Sequence, residues 1–202
     1  MSDVILKATY ETLYMVIGST FFAVILGFIP AIILTLTAPD GLKPNKVIYT
    51  ILDILVNIFR SFPFVILMVI VIPLTRLIAG KAIGTTAALV PLTISAIPFV
   101  ARVIESALRS VDVGLIEAAK SFGASDFQII YRIYLKEAIP AILSGITLTM
   151  INIIGYSAMG GALGLILVLQ ELFKNTSFFS DLAVETNIRK IIYFSMLFIV
   201  IY

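Results

Sequence analysis

Long apolar runs separated by short polar intervals dominate the chain. The first run, from Thr12 to Pro39, carries no charged residue, and a turn with Gly, Pro and several charges follows it at residues 40–46. A membrane-spanning helix needs about 20 mainly apolar residues to cross a hydrocarbon core of roughly 30 Å. We therefore predict a first span at about residues 12–39. A cleavable signal peptide is the alternative, but its apolar core is usually only about 7 to 15 residues long.

The later apolar runs predict further spans. Three of them are long enough to cross, at about residues 47–75, 82–101 and 138–158. Pro63 is expected to kink the second span. The uncharged run at 138–170 exceeds one crossing and contains several glycines, so we expect a glycine-rich break after Ala158. The last run predicts an incomplete fifth span at 188–202. The expected fold is all-α and polytopic, one transmembrane domain over residues 1–202 with about five helices.

Composition supports the membrane class. The 202 residues are 60% hydrophobic and 13% charged, and the mean hydropathy is +1.12. Average soluble domains carry about 25% charged residues. The net charge of +2 is small and the basic residues are scattered, so nothing predicts nucleic-acid binding.

The residue inventory excludes much enzyme chemistry. There is no cysteine and no histidine, which removes disulfides, thiol nucleophiles, imidazole bases and the commonest zinc ligands. No Gly-x-x-x-x-Gly-Lys-Ser/Thr segment occurs, so a P-loop for ATP is missing from the sequence. We expect no catalytic residue, no metal and no cofactor, and a chain that is not itself an enzyme.

The polar interval at residues 102–137 has a readable local structure. Gly123 suits the end of a helix that finishes near Phe122, because glycine adopts positive φ at little cost. Ser125 followed by Gln128 is a capping-box pattern, which predicts a second helix directly after the turn. One apolar face of that helix is expected from the spacing of Phe127, Ile130, Tyr131 and Tyr134.

A motif runs through this interval: Glu-Ala-Ala, three residues, Gly, nine residues, Ile-x-Leu. It resembles the coupling-helix motif of bacterial ABC importer permeases, although Lys136 stands where that family usually has proline. The matching residues are Glu117, Ala118, Ala119, Gly123, Ile133 and Leu135. The resemblance implies that they couple the chain to a cytoplasmic ATPase. Composition alone favours a different interpretation, an amphipathic loop lying on the membrane surface.

Two further segments resemble the methionine-importer branch of this family. They are Asn57–Phe64, with sequence NIFRSFPF, and Gly155–Gly161, with sequence GYSAMGG. The resemblance implies a type I importer permease in the inner membrane that works as a homodimer by alternating access. The partners that it implies are two copies of a cytoplasmic ABC ATPase subunit and an extracytoplasmic methionine-binding protein. The alternatives are a permease for another amino acid or a small peptide, or a passive channel or structural subunit without an ATPase.

The glycine-rich segment permits two interpretations. Residue types alone favour helix packing through small residues at Gly160 and Gly164, with Tyr156 and Met159 in the core. The resemblance instead implies a gate or substrate path formed by Tyr156, Ser157, Met159, Gly160 and Gly161. After Gly164 the resemblance weakens, because an aliphatic stretch replaces the glycine-rich outer loop of the family.

Two charged residues lie within the predicted second span. Asp53 and Arg60 lie two turns apart on one predicted helix face, close to the inner end of the second span. They are expected to be an anchoring pair at the membrane interface, with an ion or proton relay as the alternative.

With residues 102–137 inside the cell, three preceding spans place the N-terminus outside, an orientation that the distribution of basic residues favours only weakly.

Overall fold

The computed structural model describes the backbone of residues 2–172 and the side chains of residues 3–161, and these residues are almost entirely helical. The elements are α1 (Ser2–Thr37), α2 (Lys46–Ser61), α3 (Phe64–Ala79), α4 (Thr85–Arg109), α5 (Val113–Ser121), α6 (Asp126–Ile129), a π-helical turn (Ile130–Tyr134) and α7 (Leu135–Leu172). In this part of the chain, α1, α4 and α7 are each long and apolar enough to cross a membrane.

The second predicted span is broken in two. α2 and α3 meet at an angle of 105°, and Phe62 and Pro63 between them have extended backbone conformations. Proline lacks an amide hydrogen and disfavours helical geometry in the residue before it, so both residues leave the helix. The prediction of a single kinked helix at 47–75 is therefore wrong. Two helices joined by a sharp bend, which we call the elbow, take its place.

The direction of each helix follows from its contacts. Gly18 and Gly27 of α1 lie against Leu89 and Ile97 of α4, in the same order along both helices, so α1 and α4 are parallel. α2 begins at the end of the bundle where α1 and α4 finish, and a short turn joins α3 to the opposite end of α4. The bent α2–α3 pair therefore makes one crossing, the fourth in the described part of the chain.

α4 is the central helix of this bundle. It packs against α1, α2, α3 and α7, and it buries Leu92, Val100, Ile104 and Leu108 almost completely. Large apolar side chains on other helix faces are exposed, and on α1 they include Leu13, Ile17 and Phe21. In water such a surface would be unstable, whereas in a bilayer it is the surface that contacts lipid or another apolar helix.

Several buried hydroxyl groups are satisfied within their own helices, although that of Thr20 has no partner in the described part of the chain. The side chains of Thr35 and Thr149 each donate a hydrogen bond of 2.9 Å to the carbonyl four residues earlier. Thr75 does the same at 3.0 Å. An unpaired polar group costs several kcal/mol in a hydrocarbon environment, so these local bonds allow polar side chains inside the bundle.

The glycine-rich break predicted after Ala158 is not present. α7 continues through Gly155, Gly160 and Gly161 to Leu172. A glycine inside a helix costs about 1 kcal/mol relative to alanine, whereas each backbone amide left without a partner in lipid costs several. The backbone therefore stays helical. The incomplete fifth span predicted at 188–202 lies outside the described residues.

A network of charged side chains joins the elements at one end of the bundle. The Glu105 carboxylate of α4 is buried and lies 2.8 Å from the Arg102 guanidinium and 3.6 Å from that of Arg109. Arg102 also pairs with Asp53 of α2. Arg109 forms a two-oxygen contact, at 2.8 and 3.0 Å, with Asp40 in the turn after α1. These contacts tie α2, α4 and the end of α1 together.

The network corrects two predictions. α4 does not end with the apolar run at 82–101 but continues to Arg109, so its charged last turns belong to the helix. Asp53 pairs with Arg102 rather than standing beside Arg60 as an anchoring pair. Arg60 lies at the other end of α2, next to the elbow, and not close to the inner end of the span.

Gly145 marks the closest approach of α7 to α4. A Cβ atom added at this position would lie 1.9 Å from Cγ1 of Val103, far inside van der Waals contact. We predict that Gly145→Ala lowers the free energy of unfolding by about 1–3 kcal/mol, the usual cost of overpacking a core. Thermal unfolding of the detergent-purified chain measures the effect.

Gly155→Ala is the matched control, since nothing in the described structure lies within 4 Å of its added Cβ. The double variant Gly145→Ala with Val103→Ala removes the clashing methyl group and is expected to recover most of the loss. Equal melting temperatures for Gly145→Ala and Gly155→Ala would contradict the close approach.

Among the cations of the network, Arg102 is predicted to contribute most to the free energy of unfolding. Arg102→Ala leaves the buried Glu105 carboxylate without its nearest partner, and stranding a buried charge costs about 3 kcal/mol or more. Adding Glu105→Gln removes the stranded charge and should restore much of the stability. Arg132→Ala, at an exposed arginine, is the control, and thermal unfolding is the measurement. A loss no larger than that of the control would show that the network contributes little.

Candidate functional site

The corner, which we define as residues 112–129, is built by local backbone bonds. Asp112 caps α5 by accepting a hydrogen bond of 2.6 Å from the amide of Gly114. At the other end of α5 the amide of Gly123 donates to the carbonyl of Lys120, and the amide of Ala124 donates to that of Ala119. These two bonds and a φ of +77° at Gly123 form a Schellman motif, which confirms the turn predicted there.

The next helix begins with the capping box that the sequence predicts. The amide of Ser125 donates to the Gln128 side chain at 2.9 Å, and the amide of Gln128 donates to the Ser125 hydroxyl at 3.4 Å. The first four backbone amides of a helix normally lack a partner within the helix. This exchange provides a partner for one of them and also for the amide of the cap residue. The turn between α5 and α6 is therefore held from both sides.

The corner is attached to the bundle by several apolar contacts, including fully buried Ile129, and by one ion pair. Ile116 of α5 is buried in the main core, and Ala119 packs against the same core. Asp126 at the start of α6 lies 3.3 Å from the Lys43 ammonium, in the turn that precedes α2. That ion pair is exposed and contributes at most about 1 kcal/mol, so the apolar anchor holds the corner in place.

The outer side of the corner contains the residues of the motif that could meet a partner. Glu117 and Ala118 are exposed, and the Glu117 carboxylate forms no ion pair or hydrogen bond within the described part of the chain. Phe122, which the sequence analysis did not select, is 91% exposed at the apex. An isolated exposed phenylalanine beside a carboxylate and a small alanine is the kind of surface that docks into a pocket.

The helix after the turn presents a different face from the predicted one. Phe127 and Tyr131 are exposed and stack on each other with their ring centroids 6.3 Å apart. Ile129 and Tyr134 are the buried residues. The π-helical turn over Ile130–Tyr134 is the reason, because it shifts the helical register on which the predicted face of Phe127, Ile130, Tyr131 and Tyr134 depended.

Ile133 and Leu135 of the motif face the bundle. Both are half-buried and pack against the main core. Their position joins the corner to the start of α7. Within this protomer they therefore hold the corner rather than form its outer surface.

Tyr156 of the glycine-rich segment packs against the elbow. Its ring stacks on that of Phe64, the first residue of α3, with centroids 4.7 Å apart and planes within 9°. Phe64 is buried and Tyr156 is half-buried. The two rings join α7 to the point where the α2–α3 crossing bends.

Among the other residues of this segment, Met159 and Gly161 are exposed, whereas Ser157 and Gly160 are half-buried. Met159 is 50% exposed, and Ser157 donates a hydrogen bond of 2.8 Å to the carbonyl of Ile154. Nothing in the described structure lies within 4 Å of a Cβ added at Gly161, and Gly160 meets only the end of the Met68 side chain at ordinary contact distance. Close packing through small residues, the alternative interpretation from residue types, is not found at Gly160 or Gly161 among the described residues.

A cavity of about 530 Å³ lies at the elbow. It is bounded by α2, the break, α3, α4 and α7. Its lining residues are Asn57, Phe59, Arg60, Ser61, Phe62, Phe64, Leu67, Ser95, Phe99 and Tyr156. Four phenylalanine rings, one arginine and several neutral polar groups thus surround one space, which Tyr156 borders from α7.

The described residues hold no group of three or more carboxylates that could bind a metal ion. With histidine and cysteine absent from the whole sequence, nothing in this part of the chain suggests a metal or cofactor. The acidic residues of the network are matched by arginines instead.

Comparison with known proteins shows which family and which relatives this chain resembles. Residues 23–202 match the family described as binding-protein-dependent transport system inner membrane component. The probable D-methionine transport system permease protein MetI of Vibrio cholerae is 53% identical over 165 residues, 81% of this chain and 72% of that protein. The D-methionine transport system permease protein MetI of Escherichia coli K12 is 44% identical over 161 residues, 80% of this chain and 74% of that protein.

Solved structures agree with the sequence relatives. Two inward-facing crystal forms of the MetNI methionine ABC transporter have TM-scores of 0.75 and 0.76 at 36% and 37% identity. Both alignments cover 96% of this chain, and they cover 94% and 90% of those chains. An amino acid ABC transporter crystallised with histidines, at 19% identity and a TM-score of 0.60, shares the fold. The chain belongs to the family of inner membrane components of binding-protein-dependent transport systems.

Proposed function

We propose that the chain is the permease subunit of an ATP-driven importer for methionine. It acts as a homodimer with two cytoplasmic ATPase subunits and an extracytoplasmic methionine-binding protein. The relatives named for D-methionine transport and the MetNI structures support the substrate and the partners. The chain lacks a P-loop sequence, so ATP hydrolysis belongs to the partner subunit.

The corner is the observation that carries this proposal. Local hydrogen bonds preform it, its inner face is anchored by Ile116, and its outer face presents Glu117, Ala118 and Phe122. A passive channel or structural subunit needs no such preformed docking surface, so the corner favours the importer over that alternative. The role of Glu117, Ala118, Ala119 and Gly123 is to engage the ATPase, whereas Ile133 and Leu135 fix the corner to α7.

Force on the corner reaches the spans by short routes. α5 follows α4 after only three residues, and the Lys43–Asp126 pair links α6 to the turn before α2. α7 begins directly after the π-helical turn. Closure of the two ATPase subunits would therefore move the inner ends of α2, α4 and α7 together, which is the motion that alternating access requires.

The gate is proposed at Tyr156, Ser157, Met159, Gly160 and Gly161. Tyr156 borders the cavity, while Met159 and Gly161 lie on a surface that the described part of the chain leaves exposed, next to the half-buried Gly160. In a homodimer that surface faces the axis or lipid. We place it at the axis, because a thioether and exposed backbone form a soft constriction through which an apolar amino acid can pass.

Gly123 provides a test of the preformed turn. At its φ of +77° a β-branched side chain is more strained than a methyl group, so Gly123→Val should reduce coupling more than Gly123→Ala. No atom of the described residues lies within 4 Å of the added Cβ, so the expected effect is backbone strain. Uptake of labelled methionine by proteoliposomes that contain both subunits and the binding protein, relative to ATP hydrolysis, measures coupling. Equal coupling in the two variants would contradict a docking role for this turn geometry.

Glu117 tests the docking contact itself. Glu117→Ala is expected to remove a charge-assisted hydrogen bond worth about 1.5 to 3 kcal/mol, which lowers ATPase affinity roughly ten- to a hundredfold. The readout is co-purification of the ATPase subunit together with ATP-dependent methionine uptake. Glu137→Ala, at another exposed carboxylate but on α7, is the matched control.

The two outcomes of this experiment are distinct. Membrane abundance should be normal in both variants, because the Glu117 carboxylate forms no ion pair or hydrogen bond within the described part of the chain. Normal co-purification and uptake in Glu117→Ala would refute the docking role. Reduced abundance would instead indicate that the corner is a structural loop at the membrane surface.

A further inference from the structure

We propose that the cavity at the elbow is a binding site for a free amino acid with an apolar side chain, and that Arg60 binds the carboxylate of that amino acid. This inference rests on the proposed function, since it places the transported substrate at a defined point in the permease. Three features of the structure carry it: the depth of the cavity, the surroundings of Arg60 and the chemistry of the walls.

The cavity lies within the membrane-spanning length of the bundle. Arg60 is about four turns, or roughly 21 Å, along α2 from Lys46 at the inner end. Ser95 is the same distance along α4 from Arg109 at that end. Two helices thus independently place the cavity well inside a hydrocarbon core of roughly 30 Å.

Within the part of the chain that the structure describes, Arg60 has no counterion at this depth. Arg102 and Arg109 each pair with carboxylates, whereas Arg60 forms no ion pair with any residue of the described part of the chain. No aspartate or glutamate is among the residues that line the cavity. A charged side chain deep in a membrane protein usually serves a substrate or ion path, and a guanidinium matches a carboxylate with two parallel hydrogen bonds.

The walls fit the remaining parts of an amino acid. Phe59, Phe62, Phe64 and Phe99 supply aromatic surface for an apolar side chain, and sulfur–aromatic contacts favour a thioether there. The Ser95 hydroxyl donates to the carbonyl of Leu92 at 2.8 Å, which leaves its oxygen free to accept a bond from an ammonium group. A volume of about 530 Å³ is within the range of small-molecule sites.

A phospholipid headgroup offers the same anionic chemistry as a carboxylate. Its phosphate lies at the membrane interface, however, outside the hydrocarbon core of roughly 30 Å. The aromatic rings beside Arg60 also suit a short apolar side chain attached directly to the anionic group. The observations therefore favour the amino acid, and the experiment separates the two sources.

The first test is photolabelling of the assembled complex of permease and ATPase with the diazirine analogue of methionine. Labelled peptides of the permease are expected to contain residues 59–64 or 95–99. Excess methionine should suppress this labelling, whereas methioninamide, which lacks the carboxylate, should not. Equal suppression by the two competitors, labelling elsewhere in the permease, or suppression by anionic lipid alone would overturn the proposal.

The second test is substitution of Arg60. In proteoliposomes with the ATPase and the binding protein, Arg60→Gln is expected to lower methionine uptake and site labelling roughly tenfold or more. Arg60→Lys keeps the charge but loses the two-bond geometry, so an intermediate loss is expected. Arg76→Gln, at an exposed arginine of α3 outside the cavity lining, is the matched control.

The outcomes distinguish a failure of the proposed Arg60 site from a failure of the proposed importer function. Wild-type uptake with no effect of Arg60→Gln would overturn the site and leave the importer function intact. If the unmutated complex takes up no methionine, the proposed substrate is wrong, and the competition between methionine and methioninamide still decides whether the cavity recognises a carboxylate. If Arg60→Gln fails to assemble with the ATPase, the same competition in the unmutated complex decides whether the cavity recognises a carboxylate.

Discussion

The buried carboxylate of Glu105 is the interaction on which the rest of the arrangement depends. Because an unpaired charge inside the bundle would cost several kcal/mol, Glu105 requires both Arg102 and Arg109 to stay close. Each arginine then extends to a second carboxylate on a different element, Asp53 on α2 and Asp40 after α1. One desolvated group thereby fixes the register of α2 and of the end of α1 against the central helix α4.

The two proposed functional regions, the corner and the cavity, are connected to this network by short stretches of helix. α5 follows α4 almost directly, and the turn that holds Asp40 also holds Lys43, the partner of Asp126 in the corner. In the other direction α2 continues from Asp53 for two turns to Arg60 at the cavity. The corner and the cavity are therefore linked through rigid helices and ion pairs, which is a physical basis for the coupling we propose between ATP hydrolysis and the substrate path.

Sequence reasoning succeeded where the cause is local and failed where it is not. The turn at Gly123 and the capping box of Ser125 with Gln128 depend on neighbouring residues, and both are confirmed. The partner of Asp53 lies on another helix far along the chain, so helix periodicity led to Arg60 instead of Arg102. The register shift of the π-helical turn has no signature in residue spacing, and Phe122 carries no signal beyond its place in the turn. The cavity needs four elements to meet, which the sequence pattern alone does not predict.

Residues that interrupt helices had opposite effects in α2–α3 and in α7. Pro63 broke a span because proline removes an amide donor and disfavours helical geometry before it, whereas the glycines at 155, 160 and 161 kept all their donors and stayed helical. The cavity is consequently bordered by a continuous helix that carries Tyr156 and by an elbow that carries Phe64. Their stacked rings are the contact between the rigid wall and the bent one. Any change in the elbow angle must slide or separate these rings, so the size of the cavity is linked to the position of a proposed gate residue.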